Sequence, residues 1–297
     1  MASFFDEISR NKLKSVLLML VFGAIFGGVV FLFVYLFGGG IIAFGIGIAI
    51  IVLYAFLSYH FGSKLVLKIS KAKPADRKQY PQLYSIVESL ALASQIKVPD
   101  IYVIDDSNPN AFATGKNKSH ASIAVTTGLL SMMDKNELEG VIAHEMSHIY
   151  NNDIQFMLFA VVFAGVIGLL AAVIRNMFFF GFGDSRGGGG IFIIVGIVVG
   201  ILAPLFALLL RFAISRRREY MADANGARII REPNYLASAL KKIQQYEQKP
   251  AAAPVRNANE MTASLYFSNP FNTKSFKNLF STHPPIEERI NRLEHMY

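Results

Sequence analysis

Long stretches of this chain are apolar and contain no charged side chain. Between Lys14 and Lys64 there is no Asp, Glu, Lys or Arg, and two later stretches are equally free of charge. A bilayer core about 30 Å thick is crossed by roughly 20 helical residues, because each residue advances an α-helix by about 1.5 Å. The pattern therefore predicts membrane-spanning helices at Val16–Phe37, Ile41–Phe61, Ile154–Ile174 and Ile191–Leu210.

The first of these stretches does not match a secretory signal peptide. Its apolar run is too long, and no small-residue cleavage site is evident. A second apolar run also follows after only three glycines, at 38–40. We therefore expect the first two spans to form a hairpin.

The regions outside the predicted spans have the mixed polarity of folded domains. Helical periodicity predicts helices over 80–93, 129–133, 134–151, 215–227, 233–243 and 286–296, and β-rich runs predict strands over 101–104 and 121–125. Asp134 with Glu137 three positions later is typical of a helix start. The predicted boundaries are an N-terminal segment and membrane hairpin over 1–63, a first half-domain over 64–152, a second membrane hairpin over 153–214 and a second half-domain over 215–297. The sequence thus predicts a mainly α-helical membrane protein with four transmembrane helices and an α+β domain that contains a small sheet.

Composition and charge agree with a membrane protein. Hydrophobic residues make up 53% of the 297 residues, and the mean hydropathy is +0.39, which is too apolar for an ordinary soluble protein. The net charge of +8 does not indicate nucleic-acid binding, because the basic residues cluster beside the spans and do not alternate with aromatic ones. By the positive-inside tendency, these clusters place the N-terminus and both half-domains in the cytoplasm. The chain has no cysteine, so any zinc must be held by histidine and carboxylate.

The motif with recognisable chemistry is His144-Glu145-Met146-Ser147-His148. Histidines four residues apart lie one turn above each other on the same helix face, where two imidazoles can chelate one Zn²⁺. Glu145 then lies beside the metal-bound water as a candidate general base. Such a run of five residues also occurs by chance, as a helix with two surface histidines, but the amphipathic helix around it favours the metal site.

A catalytic zinc site has three protein ligands and one position open to water. Several carboxylates are candidates for the third ligand, and the remaining histidines are His60, His120, His283 and His295. We expect Glu219 to be the ligand, because its helix leaves the fourth predicted span on the same side as the histidine pair. Asp223, one turn later, is expected to accept a hydrogen bond from a ligand imidazole. The alternative for both acids is an exposed helix face paired with Arg216 or Arg218.

These motifs together resemble the HtpX family of bacterial membrane zinc metalloproteases, which are relatives of the eukaryotic CAAX prenyl protease. The resemblance covers essentially the whole chain, including the two pairs of spans, the histidine helix and the Glu219-x-x-x-Asp223 helix. It implies a gluzincin-like metalloprotease domain with one Zn²⁺ per chain. It also implies a multi-pass protein of the bacterial cytoplasmic (inner) membrane whose active site faces the cytoplasm.

Two shorter motifs agree with this resemblance. The run Asn110-Ala111-Phe112-Ala113-Thr114-Gly115 is similar to the family's substrate-side strand, whose edge pairs with an extended peptide. His283-Pro284-Pro285 with Arg289 is similar to the C-terminal motif whose histidine and arginine steady the oxyanion. Without the resemblance, Asn110 is a turn residue and His283 a residue at a helix start, both structural.

The predicted activity is zinc-dependent cleavage of peptide bonds. Zinc on His144, His148 and Glu219 would lower the pKa of a bound water from 15.7 to about 7, and Glu145 would take its proton and pass it to the leaving amine. The resemblance implies quality control of misfolded or damaged membrane proteins under stress. We expect protein substrates, the lipid bilayer as surroundings and no nucleic-acid partner. The sequence does not show whether the protease cleaves itself, but the predicted loop Lys249–Asn259 would be an accessible target for self-cleavage.

Two rival interpretations remain at this stage. An intramembrane protease would carry its histidine pair inside a span, but Lys135, Glu137 and Glu139 make this helix too polar for that position. A membrane scaffold or transporter with a purely structural zinc site would have no use for Glu145. The predicted spans also contain no Asp, Glu, Lys or Arg, which disfavours transport.

Overall fold

The architecture was analysed in a computed structural model of the chain. The structure describes residue 31 and residues 40–155, 157–158, 216–248, 266–267 and 284–296. The chain divides into two compact units, one formed by residues 1–61 and 163–209 and the other by residues 62–162 and 210–297.

The described part of the first unit is an apolar helix. Helix α1 begins at Ile41 and continues to Ile69, past the end of this unit. Between Phe44 and Ile69 its mean hydropathy is 1.9, and its large apolar side chains are exposed in the protein, with Ile41, Ile46 and Ile50 all more than half accessible. By length and composition this helix can cross a membrane. The other three predicted spans lie outside the described residues, apart from Phe31 and four residues between 154 and 158.

Helix α1 is eight residues longer than the predicted span Ile41–Phe61. The extension is amphipathic, because Val66 and Leu67 are buried while Lys64 and Lys68 are exposed. The helix ends before Lys71, which has a left-handed backbone conformation with φ of 53°. The charged residues after 61 therefore show where the surroundings of the helix change. They do not mark the end of the helix, which continues to Ile69.

Among the residues that the structure describes, the second unit contains a four-stranded sheet with the order β1-β2-β4-β3. The strands are β1 (Lys73–Pro74), β2 (Asp100–Ile104), β3 (Ala111–Asn117) and β4 (His120–Thr126). Strand β4 runs parallel to β2 and antiparallel to β3. Strand β3 therefore forms one edge of the sheet, and it includes the run predicted to be the substrate-side strand.

The helices of the second unit pack mainly on one face of this sheet. Those whose bounds lie within the described residues are α2 (Pro81–Ala93), α3 (Thr127–Met132), α4 (Lys135–Tyr150), α5 (Arg216–Ile230), α6 (Pro233–Glu247) and α7 (Ile286–Glu294). Alternate strand residues such as Ala111 and Ile123 join the large core formed with α2, α4 and α6, whereas Phe112 and Ala124 join a smaller core on the opposite face. This alternation follows from the two-residue repeat of a β-strand.

Helix α4, which carries the two histidines, is the central element of the large core. Its start is the predicted capping box, since the Asp134 side chain accepts from the Glu137 N–H and the Glu137 side chain accepts from the Asp134 N–H. Glu137 is buried and also receives a hydrogen bond from Ser238 and an ion pair from Lys242 on α6. The Glu137 side chain thus caps the N-terminus of α4 and also links α4 to α6.

The predicted helix and strand positions agree with the structure to within a few residues at their ends. The second half-domain helix runs to Glu247 instead of Ile243, and β3 was predicted only from the resemblance. Helix α4 ends at Tyr150, and Asn152 adopts a left-handed conformation with φ of 60° before helical structure resumes at Asp153. The histidine helix therefore does not continue straight into the predicted third span.

We predict that Gly140→Ala destabilises the protein. A Cβ at Gly140 would lie 2.6 Å from the backbone nitrogen of Leu236 on α6, so the two helices would have to separate. Overpacking of this kind costs about 1–3 kcal/mol. Thermal unfolding followed by circular dichroism in detergent should show a lower midpoint for Gly140→Ala. Gly45→Ala is the matched control, because a Cβ there meets nothing within 4 Å; equal midpoints for the two variants would contradict the tight crossing.

Candidate active site

Two histidines of α4 and a glutamate of α5 converge in the interior of the second unit. The Nε2 atoms of His144 and His148 lie 3.1 Å apart. The carboxylate oxygens of Glu219 lie 3.7 Å from the first and 3.6 Å from the second. None of the three residues is more than 3% exposed. These side chains form a group that could hold a metal ion, with one ligand atom from each within 4.8 Å of the others.

A glycine on α5 makes this convergence possible. A Cβ at Gly226 would lie 3.1 Å from the backbone nitrogen of His144 and 3.2 Å from the carbonyl carbon of Ala143. The backbones of α4 and α5 can therefore approach closely at the level of the first histidine. Residues 223 and 219 lie about one and two turns before this glycine, which places their acids beside the imidazoles.

Each imidazole is also held at its second nitrogen by a buried aspartate. His144 Nδ1 lies 2.9 Å from Asp223 Oδ1, and His148 Nδ1 lies 3.1 Å from Asp153 Oδ2. An ionised carboxylate can only accept a hydrogen bond, so Nδ1 carries the proton in both rings. In both rings Nε2 is therefore the nitrogen available to a metal. The two Nε2 atoms face each other and the Glu219 carboxylate.

The donor set fits a divalent metal ion. Two Nε2 lone pairs only 3.1 Å apart, with a carboxylate beside them, repel one another unless a positive charge lies among them. A proton shared by the two imidazoles meets this need in part, and Zn²⁺ meets it with ligands of the type it prefers. The two histidines and Glu219 therefore suit zinc by position and by chemistry.

The pKa values of the two histidines move in opposite directions. Burial lowers the pKa of His144 to about 4, the Arg289 charge acts in the same sense, and Asp223 opposes both. Burial would also lower the pKa of His148, but the Asp153 hydrogen bond and the charge of Glu219 outweigh it and raise that pKa to about 9. A metal ion that binds both Nε2 atoms competes with protons there, and the carboxylates beside His148 favour its protonated form more than those beside His144.

Glu145 lies in the same buried region, between the two histidines in the sequence. It is 2% exposed, and burial raises the pKa of its carboxyl to about 7, with the negative charge of Glu219 adding to the rise. The positive charge of His148 and a hydrogen bond from the backbone N–H of Ala113 oppose this shift. The carboxyl group of Glu145 thus lies against strand β3, and its pKa lies near neutral pH.

Comparison with known proteins now decides the family. The profile of peptidase family M48 matches residues 77–297. The protease HtpX homologue of Thermoanaerobacter pseudethanolicus is 45% identical over 98% of this chain and 97% of its own, and that of Ligilactobacillus salivarius is 40% identical over 98% and 99%. The chain belongs to peptidase family M48. The predicted resemblance to the HtpX proteases is thereby confirmed.

A solved structure shares the fold of this M48 peptidase. The crystal structure of S. mikatae Ste24p superposes with a TM-score of 0.51 and covers 97% of this chain and 67% of the other. Its sequence is 21% identical, so this similarity concerns the fold alone. Membership of family M48, with a buried group that could hold a metal, identifies the chain as a metallopeptidase.

The other predicted ligand candidates of this M48 peptidase lie elsewhere or are not described. His60, His120 and His295 are exposed and bond to Phe56, Asn117 and Asn291 in their own segments. His283 lies outside the described residues. Glu219 and Asp223 are 0% and 3% exposed, which does not match the alternative of an exposed helix face.

The predicted substrate-side residues lie along β3 and just before it. Asn110 is buried, and its backbone is bonded to Thr126 of β4 in both directions. The ring of Phe112 is fully buried against Tyr266, with ring centroids 5.2 Å apart. Asn110, Ala111 and Phe112 are at most 1% exposed, and the Ala111 carbonyl accepts a hydrogen bond from the Phe267 N–H at 2.8 Å, so the side chains and these backbone groups are already packed or paired within the protein.

Arg289 is fixed to one of the ligand-supporting acids. Its Nε and Nη2 donate to the two oxygens of Asp223 at 2.9 and 2.7 Å, and Nη1 lies 3.9 Å from a Glu219 oxygen. The residue is only 1% exposed. The Asp223 and Glu219 charges raise its pKa against the effect of burial. In this position the guanidinium neutralises buried acids, while a role at the oxyanion stays a prediction.

Sequence reasoning missed three contributors to the site. Asp153 supports His148, and the Ala113 N–H holds Glu145. Phe267 packs edge-to-face on His144 at 5.0 Å and lies under Arg289, 4.9 Å from its guanidinium carbon. The pair Asn151-Asn152 was a usable signal for Asp153, since asparagine tolerates a left-handed helix exit, whereas nothing local indicates Phe267.

We predict that Arg289→Met strongly destabilises the protein. Removing the guanidinium leaves Asp223 and Glu219 buried without their cation, which costs about 3–5 kcal/mol. Arg292→Met on the same helix is the control, because that arginine is half-exposed and pairs with Glu288 at the surface. Chemical unfolding of both variants measures the difference. If Arg289 served only the substrate, its variant would unfold like the control.

Proposed function

We propose that this chain is a zinc-dependent endopeptidase of the bacterial cytoplasmic membrane, with its active site facing the cytoplasm. The observation that carries the proposal is the buried group His144, His148 and Glu219 with Glu145 beside it. Two imidazoles and one carboxylate are the ligands of the catalytic zinc in several known metallopeptidases. Zinc held there would supply Lewis acidity and lower the pKa of a water molecule to about 7.

Glu145 is the proposed general base. It takes a proton from the attacking water and returns one to the leaving amine. Burial raises the pKa of this carboxyl to about 7, and a base works best when its pKa lies near the working pH. The hydrogen bond from the Ala113 N–H fixes the carboxyl group, so little reorganisation is needed before proton transfer.

The edge of strand β3 is the proposed docking site for the peptide substrate. The Ala111 carbonyl points away from β4, because it accepts a hydrogen bond from the Phe267 N–H at 2.8 Å. Residues two apart on a strand present their backbone groups to the same side, so Ala113 also faces this edge. An extended peptide that adds to this edge takes the place of the Phe267 N–H on the Ala111 carbonyl and passes next to Glu145. Recognition through backbone groups tolerates many side chains.

Attachment to the membrane is supported by α1, whose exposed apolar surface suits lipid. We further propose the three remaining spans predicted from the sequence, and protein substrates that include misfolded or damaged membrane proteins. A quality-control role under stress follows from that substrate class. Self-cleavage within Lys249–Asn259 is part of the same proposal, since the Pro/Ala-rich sequence of this segment predicts a loop, which would be an accessible substrate.

Replacing the general base tests the reaction. We expect Glu145→Gln to keep its zinc and to lose casein cleavage by about 10²–10⁴-fold, because the amide cannot accept the proton. Glu139→Gln on the same helix, outside the site, should cleave like the wild type. Cleavage by the wild type should stop after zinc is removed with a chelator and return when zinc is restored. Wild-type cleavage by Glu145→Gln would exclude this base, and chelator-resistant cleavage would exclude the metal reaction.

Substrate choice can be tested with a matched pair of reporters. One carries an unfolded polar segment alone, and the other carries the same segment after a transmembrane helix in the same liposomes as the enzyme. Confinement to one bilayer raises the effective concentration of the second, so we expect at least a tenfold higher rate at equal total substrate. Equal rates for the two reporters would argue against selection of membrane proteins.

A further inference from the structure

Each candidate ligand histidine contacts a buried aspartate that itself lies beside an arginine. His144 Nδ1 contacts Asp223, and Arg289 donates to both oxygens of that aspartate. His148 Nδ1 contacts Asp153 Oδ2, and the other oxygen, Oδ1, lies 3.6 Å from Arg218 Nη1. The second arrangement resembles the first but is looser, since one ion-pair contact of 3.6 Å stands where Arg289 makes two hydrogen bonds.

The backbone brings Asp153 to His148 through an unusual exit from α4. In a continuous helix, a residue five positions ahead lies well away from the face of the first residue, since neighbours on one face are three or four apart. Here the helix ends at Tyr150, and Asn152 has a left-handed conformation with φ of 60°. This break turns the chain so that the Asp153 carboxylate, 5% exposed, meets the imidazole.

Arg218 connects the same aspartate to the helix that carries the third ligand. It precedes Glu219 directly on α5, and its side chain is 11% exposed. One oxygen of Asp153 therefore contacts the candidate ligand His148 on α4, and the other lies near Arg218 at the start of α5. A carboxylate in this position fixes the ring of His148 and the spacing between the two ligand helices together.

We propose that Asp153 and Arg218 form a positioning pair that orients His148 for metal binding, as Asp223 and Arg289 do for His144. This inference rests on the proposed function in that it concerns the same metal site. It makes a separate claim about affinity, because partners of this kind typically change metal affinity by about 10–100-fold. Asp153 touches neither metal nor substrate in this role.

The test measures zinc affinity of the full chain in detergent, by competition with a chromophoric chelator. We expect Asp153→Ala to bind zinc about 10–100-fold more weakly than the wild type, and Asp153→Asn to lie between them, since the amide oxygen still accepts from Nδ1. Substitution of Co²⁺ gives an absorption spectrum that reports ligand geometry, and this spectrum should change in Asp153→Ala. Glu137→Gln is the control for general destabilisation, because that buried acid also joins two helices but lies outside the site.

Arg218 is tested in a double-mutant cycle. Arg218→Met should weaken zinc binding less than Asp153→Ala, and Arg218→Lys should restore part of the loss. The double variant Asp153→Ala/Arg218→Met should lose less zinc-binding free energy than the sum of the losses in the two single variants, because the arginine acts through the aspartate. Strictly additive losses would overturn the pairing.

The outcomes separate this inference from the proposed function. Wild-type zinc affinity and an unchanged Co²⁺ spectrum in folded Asp153→Ala overturn the positioning role, whatever the enzyme cleaves. If Asp153→Ala and Glu137→Gln weaken zinc binding equally, Asp153 has only a structural role, and the positioning role is also overturned. A wild type that binds zinc but cleaves no peptide contradicts the proposed function and leaves the positioning pair standing. A wild type that binds no metal overturns both.

Discussion

The balance of buried charge is the constraint on which this site depends. Four carboxylates lie in its interior, those of Glu145, Asp153, Glu219 and Asp223, and none is more than 5% exposed. Two guanidinium groups, from Arg218 and Arg289, lie against them. In the deprotonated state that binds a metal, with both imidazoles neutral and Glu145 ionised, four negative charges face two positive ones and leave two to be balanced. Unpaired buried charge is costly, and a divalent cation among the three ligands supplies the missing balance.

The surrounding fold keeps these groups apart from water and at fixed distances. Glycines at 140 and 226 let α6 and α5 press against the backbone of α4, where side chains would hold them away. The capping box and Lys242 anchor the start of α4 through Glu137, so the helix cannot slide along its partners. At its other end, the left-handed residue Asn152 returns the chain to the site. The geometry of the site thus depends on how closely α4 packs against α5 and α6.

Local sequence patterns predicted the parts of the site that local geometry determines. The histidine pair needs only the four-residue repeat of a helix, and the start of α4 needs only Asp134 and Glu137. Glu219 required an argument about which side of the membrane its helix leaves, and Arg289 required the family resemblance. The pair Asn151-Asn152 signals the helix exit before Asp153 but not its contact with His148, whereas Phe267 and the Ala113 N–H depend on tertiary packing and strand register, which no short motif encodes. Pairing across the sheet, such as the parallel alignment of Ile101 with Ile123, is likewise set by tertiary packing.

The most direct measurement is zinc X-ray absorption on the purified full-length chain, combined with elemental analysis. The account predicts one zinc per chain, bound by two imidazole nitrogens and a carboxylate oxygen at about 2.0–2.2 Å. In Glu219→Gln the carboxylate contribution should disappear and the zinc content should fall. A wild-type chain that takes up no zinc when the metal is supplied, or a spectrum unchanged by Glu219→Gln, would contradict it.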